Sequence, residues 1–118
     1  MPQLSDSRPV RVSFGGETYD LEPTITAADA VEEAHGGVLD AMRLVGKLNR
    51  QATAHILLAC SGGKVTPSAI SKLSGELFAL TVEQRGDVAA EVNRYLAWMM
   101  DGFAPAPTDE REPAQTGN

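Results

Sequence analysis

Apolar positions along the chain change their period once, just after residue 21, and that change predicts the architecture. Val10, Val12 and Phe14 alternate with Arg11 and Ser13, the two-residue period of a half-buried strand. Thr18 and Asp20 alternate with Tyr19 and Leu21 on a return strand. Gly15-Gly16 between them is a tight-turn signal, because hairpin turns need φ > 0 and glycine accepts it without steric cost. Pro23, lacking an N–H, ends the pairing. A lone hairpin is marginal in water, so its apolar face must lie on helices or its edge must pair with another copy.

From there the period is helical. A first helix is expected to start at Thr26, with Asp29 three residues on as an approximate capping box. Asp29, Glu32 and Glu33 lie where the helix dipole favours negative charge, and His35-Gly36-Gly37 stops the helix. Ala27, Ala30, Val31 and Ala34 form a stripe of small residues that allows close packing. Val38, Met42, Val45 and Leu48, with Leu39 beside them, predict a second helix. Asn49 is read as the cap of a third, in which Ala52, Ile56, Ala59 and Cys60 share a face with Leu57 at its side. This third helix is the most apolar and is expected at the centre. Thr66 before Pro67 marks a fourth helix, with Ile70, Leu73, Leu77 and Leu80 inward and Phe78 flanking. Thr81 with Gln84 forms a capping box for a fifth, lined by Val88, Val92, Tyr95, Leu96 and Met99. The predicted class is α+β, mostly α: an N-terminal β-hairpin followed by four to five helices. The expected organisation is a flexible N-terminus over 1–8, a single domain over 9–103, and a disordered, acidic, Pro-containing tail over 104–118.

Composition narrows the function classes. The 118 residues are 42% hydrophobic but only 5% aromatic, which suits closely packed helices. The apolar run Ile56–Cys60 is far short of the roughly 20 residues of a membrane span. No secretory signal is visible, and a lone cysteine suits a reducing compartment, so the expected location is the cytoplasm. The net charge of −6 disfavours nucleic acid as a partner. Its distribution is uneven. Arg43, Lys47, Arg50, Lys64 and Lys72 occupy a stretch without a single acid, bracketed by acidic ends. The bland reading is mutual neutralisation within the fold; the sharper one is a basic face for an acidic protein partner, carried by Arg43, Lys47 and Arg50.

Candidate chemistry is sparse. His35, His55 and Cys60 are the only soft metal ligands, and the five-residue spacing of His55 and Cys60 does not place them on one helix face. Two surface histidines and a packed cysteine are expected instead. Ser61-Gly62-Gly63-Lys64 has a lysine after glycines but not the spacing of a phosphate-binding loop. Glu32 and Glu33 are adjacent and point to different sides. No nucleophile–base pair, metal or cofactor site is expected, and the chain reads as a non-enzyme. The strongest binding candidate is Trp98, Met99, Met100 and Phe103, since four large apolar groups within six residues cannot all face one core.

The stretch VRVSFGGETYDLEPT, followed by Thr24, Ile25, Ala27, Ala28, Val31, Glu32 and Gly36, resembles the small tail proteins of gene transfer agents and related siphophages. That family, described as tail tube proteins or tail assembly chaperones, opens with a short strand pair around a glycine turn. A helix of the pattern tL.aL..lE..lG follows. Ala28 and His35 stand where the pattern has larger apolar residues. The resemblance covers about residues 9–103 and extends to an apolar mid-chain helix ending in glycine and a helix begun by Thr-Pro. It implies a non-enzymatic assembly role: binding a tape measure protein, recruiting tail tube subunits, and self-association. A structural tail component retained in the particle is the alternative within the family. A small helical DNA-binding regulator, using Arg43, Lys47 and Arg50, is the alternative outside it.

Overall fold

A computed structural model describes residues 10–104; the expectations for the N-terminal 1–8 and for the tail beyond Ala104 lie outside the described residues. The order is β1 (Val10–Phe14), β2 (Glu17–Leu21), α1 (Ile25–His35), α2 (Val38–Gly46), α3 (Arg50–Cys60), α4 (Pro67–Phe78) and α5 (Val82–Met100). This is the mostly helical α+β fold that the change of period predicts.

The hairpin turns on Gly15 and Gly16, whose φ angles of 62° and 81° are both left-handed, as a two-residue hairpin loop demands. The resulting antiparallel register sets Val10 opposite Leu21 and Val12 opposite Tyr19. Val10, Val12 and Leu21 are buried, so one face of the hairpin belongs to the core. The other face is polar. There Arg11 Nε donates to Asp20 Oδ1 at 2.6 Å, and the Ser13 and Thr18 hydroxyls hydrogen-bond at 3.1 Å. Both pairs are exposed, so they fix register more than they stabilise. β1 packs on α5 and β2 on α3. The chain's own helices therefore cover the hairpin face, while each strand keeps one edge with no strand beside it among the described residues.

The helix boundaries follow local chemistry, with one correction. The N-cap of α1 is Thr24, not Thr26: its extended backbone lets the side chain accept from the Ala27 N–H at 3.1 Å. Thr26 then lies inside the first turn, and the Thr26/Asp29 pair caps nothing. Gly36 takes the left-handed position, φ 85°, that ends α1. Asn49, Thr66 and Thr81 cap α3, α4 and α5 as expected. The box at Thr81 is complete, with Gln84 Oε1 accepting from the Thr81 N–H and Thr81 Oγ1 accepting from the Gln84 N–H. Thr81→Ala is accordingly expected to cost about 1 kcal/mol, read as a lower urea midpoint, with Thr81→Ser restoring most of it.

The third helix is central, as expected, packing against α1, α2, α4, α5 and β2. Ala52, Ala54, Ile56, Leu57 and Cys60 are all buried. α5 lies against α2 and α4 against α3, and the expected inner face of α5, Val88, Val92, Tyr95, Leu96 and Met99, is buried throughout. The periodicity overreaches at two helix ends. Leu48 falls beyond α2 in a left-handed conformation, φ 62°, and Leu80 follows α4. Both still pack against the core, which is why they matched the stripe. No helix among the described residues is long and apolar enough to cross a membrane.

Candidate partner-binding surfaces

The Trp98–Phe103 cluster divides at the end of α5. Met99 is buried, whereas Met100, the next residue round the helix, is 54% exposed. Phe103 has φ 58°, and this left-handed turn folds its ring back against Tyr95 and Trp98, at centroid distances of 5.7 and 5.1 Å. Trp98 Nε1 donates to the Ala104 carbonyl at 2.8 Å, tying the end of the described chain to the helix. Three of the four groups thus pack locally, and Met100 is the one that faces outward.

The basic residues also separate. Arg43 reaches Asp40 within α2 at 3.5 Å, an exposed pair of little energetic weight. Lys47 is the C-cap residue of α2. Arg50 turns toward α4 instead, where its Nη1 donates to the Ser74 carbonyl and hydroxyl at 3.3 and 3.4 Å. Its guanidinium lies 4.8 Å from the centre of the Phe78 ring, and that of Arg85, on α5, lies 5.9 Å from the same ring. Phe78 is 63% exposed despite these contacts. Neither Arg85 nor the exposure of Phe78 was part of the site expected from sequence. Their separations from Arg50, across two helix boundaries, leave no local signal.

Histidine behaviour is a second departure. The histidines are not independent surface groups: His35 Nε2 and His55 Nδ1 are 3.1 Å apart and part-buried, with the rings edge to face. One ring donates and the other accepts, so the accepting ring must be neutral and the two cannot both be charged. Burial lowers the pKa of each, and for His35 the neighbouring His55 adds to the effect. A folded pKa below the unfolded value means stability that is present above about pH 6.5 and lost as the pH falls below it. The urea midpoint is therefore expected to drop between about pH 7.5 and pH 5.5. In the His35→Gln/His55→Gln variant that drop should shrink; an unchanged drop would assign it to other groups. Among the described residues no three His, Cys, Asp or Glu side chains cluster as a metal site would require.

Cys60 is packed as expected, buried at 1% exposure beside the Tyr95 hydroxyl. Burial pushes its thiol up to about 11, the reverse of an activated nucleophile. Two open grooves flank the hairpin. One, of about 290 Å³, runs between β2 and α4 and is lined by Tyr19, Leu58, Leu73 and Glu76. The other, of about 250 Å³, lies beside the hairpin turn against Leu80, Gln84 and Asp87.

Fold and surface together define a mostly helical α+β protein whose hairpin is anchored on its own helices. Comparison with protein-family models, with curated proteins and with solved structures gives no match.

Proposed function

We propose that the chain is a non-enzymatic, phage-type tail morphogenesis protein acting in the cytoplasm, a tail assembly chaperone that binds a tape measure protein and tail tube subunits. The observation that carries this reading is the resemblance across residues 9–103, in which a glycine-turn hairpin leads directly into a small-residue helix. The hairpin's geometry supports it physically. With its apolar face on α3 and α5, the two strand edges remain available to a partner strand. Exposed Met100, Phe78 and Val82 add apolar contact area. A chaperone is preferred to a tube-wall subunit because a tube wall is built on large sheets, and the described residues supply one two-stranded sheet.

The test is co-expression with the tape measure and tail tube proteins encoded in the same gene neighbourhood. Co-purification with the tape measure protein, together with absence from purified mature particles, is the expected result. Stoichiometric presence in mature particles would instead make it a structural component. A folded tape measure fragment that does not bind would refute the chaperone role.

A further inference from the structure

The corner between α4 and α5 carries an arrangement that the fold itself does not require. Phe78 ends α4, Val82 begins α5 and is 66% exposed, and Arg85 follows one turn later. Arg50, at the start of α3, closes the corner from the other side. Arg50 and Arg85 line one shallow cleft together with Leu48, Leu77 and Val88, with about 10 Å³ of free space, room for a single water-sized atom. The cleft continues past Arg50 into an open groove of about 320 Å³ along Leu48–Gln51.

Three observations give this cleft a charge preference. No carboxylate among the described residues comes within ion-pair reach of Arg50 or Arg85, although Glu83 and Asp87 flank Arg85 in sequence. Arg85 Nε is buried without an acceptor, one of two such side-chain atoms among the described residues, the other being Asn93 Oδ1 in a different part of α5. The first turn of α3, which forms the groove wall, carries no acid, so the helix dipole there is uncompensated. A guanidinium stacked on an aromatic ring keeps its edge N–H groups free for an oxygen pair. A carboxylate can approach from the open side of the cleft, where Arg50 is exposed, and the exposed Phe78 and Val82 take an adjacent apolar side chain.

We infer that the Arg50–Phe78–Arg85 cleft is a docking site for an acidic, leucine-containing peptide segment of a partner protein. The site does not depend on the partner belonging to a tail: loss of tape measure binding would leave its carboxylate preference untouched. Of the three basic residues expected from sequence, Arg50 lines the cleft, while Arg43 meets Asp40 within α2.

The test uses the full chain and a fluorescein-labelled Glu-Glu-Leu-Glu-Glu-Leu peptide, with its all-Gln counterpart, in anisotropy titrations. The acidic peptide is expected to bind at least about tenfold tighter than the Gln peptide. Arg85→Gln should weaken it by about fivefold or more, whereas Arg43→Gln and Lys47→Gln change it by less than about twofold. Equal binding of the two peptides, or wild-type binding by Arg85→Gln, would overturn the inference. Equal losses in Arg43→Gln and Lys47→Gln would overturn it too, by showing diffuse charge attraction. Should Arg85→Gln unfold, Phe78→Ser and the two-peptide comparison in the native chain decide. Tighter peptide binding by Asp109→Asn/Glu110→Gln/Glu112→Gln would assign the cleft to the chain's own acidic segment. Dissociation of a dimer by Arg85→Gln would assign it to a second copy. Either result would also overturn it.

Discussion

Tyr95→Ala is expected to cost about 3–5 kcal/mol, a large share of the 5–15 kcal/mol that holds a typical domain together. Tyr95 is the largest fully buried side chain, and it joins elements that are far apart in sequence. Its hydroxyl donates to the Glu22 carbonyl at 2.7 Å, while the Glu22 N–H donates to the Cys60 carbonyl at 2.9 Å. The junction between β2 and α1 is thereby pinned to α5 through one group and to α3 through the other. Removing the ring opens a cavity against Cys60 and Phe103 and releases that junction. Tyr95→Phe separates the two contributions. The Glu22 carbonyl also accepts from the Thr24 N–H, so losing the hydroxyl does not leave it bare, and about 1 kcal/mol is expected. Urea unfolding of both variants checks this. If Tyr95→Phe costs as much as Tyr95→Ala, the hydrogen bond rather than the packing dominates, and the argument fails.

What the sequence disclosed is what local chemistry determines. Hairpin, turn and helix order were legible because alternation, Gly15-Gly16 and the caps at Asn49, Thr66 and Thr81 each act within a few residues. Thr24 and Thr26 show the limit of such reasoning. Both precede acceptable helix sequence, and only backbone dihedrals decide which hydroxyl reaches a free N–H. Leu48 and Leu80 matched the apolar stripe because they are packed against the core, although neither is helical. The candidate surface was far less legible. Arg43, Lys47 and Arg50 are neighbours in sequence, but Arg50 leaves the other two by turning to Ser74 and Phe78 on α4. The meeting of His35 with His55, and of Arg50 with Arg85, is set by how α1, α3 and α5 pack. No residue near either member announces its partner.

Raising the pH through 9 to 11 is expected to remove a comparable amount of stability, through two groups that touch. Burial pushes the Cys60 thiol up to about 11 from an ordinary value of 9.0. Burial also pushes the Tyr95 phenol far up from 10.0, and the adjacent Cys60 adds to that shift. Both are acids whose folded pKa is raised, so the folded state holds its protons while the unfolded chain loses them. The stabilisation is complete below the unfolded values and declines as the pH rises through 9 and then 10. At about 1.4 kcal/mol per unit, Cys60 alone accounts for about 2 kcal/mol by pH 11. Tyr95 steepens the slope above 10. Tyr19, also raised by partial burial and by Glu76 and Glu17, contributes less because it is only half-buried. Urea midpoints at about pH 8 and pH 10.5 measure the loss. Cys60→Ala should flatten the slope that begins near 9, and Tyr95→Phe the slope that begins near 10. A midpoint that stays constant across this range would mean that water reaches the Cys60–Tyr95 contact. The junction at Glu22 would then be far looser than its two hydrogen bonds imply.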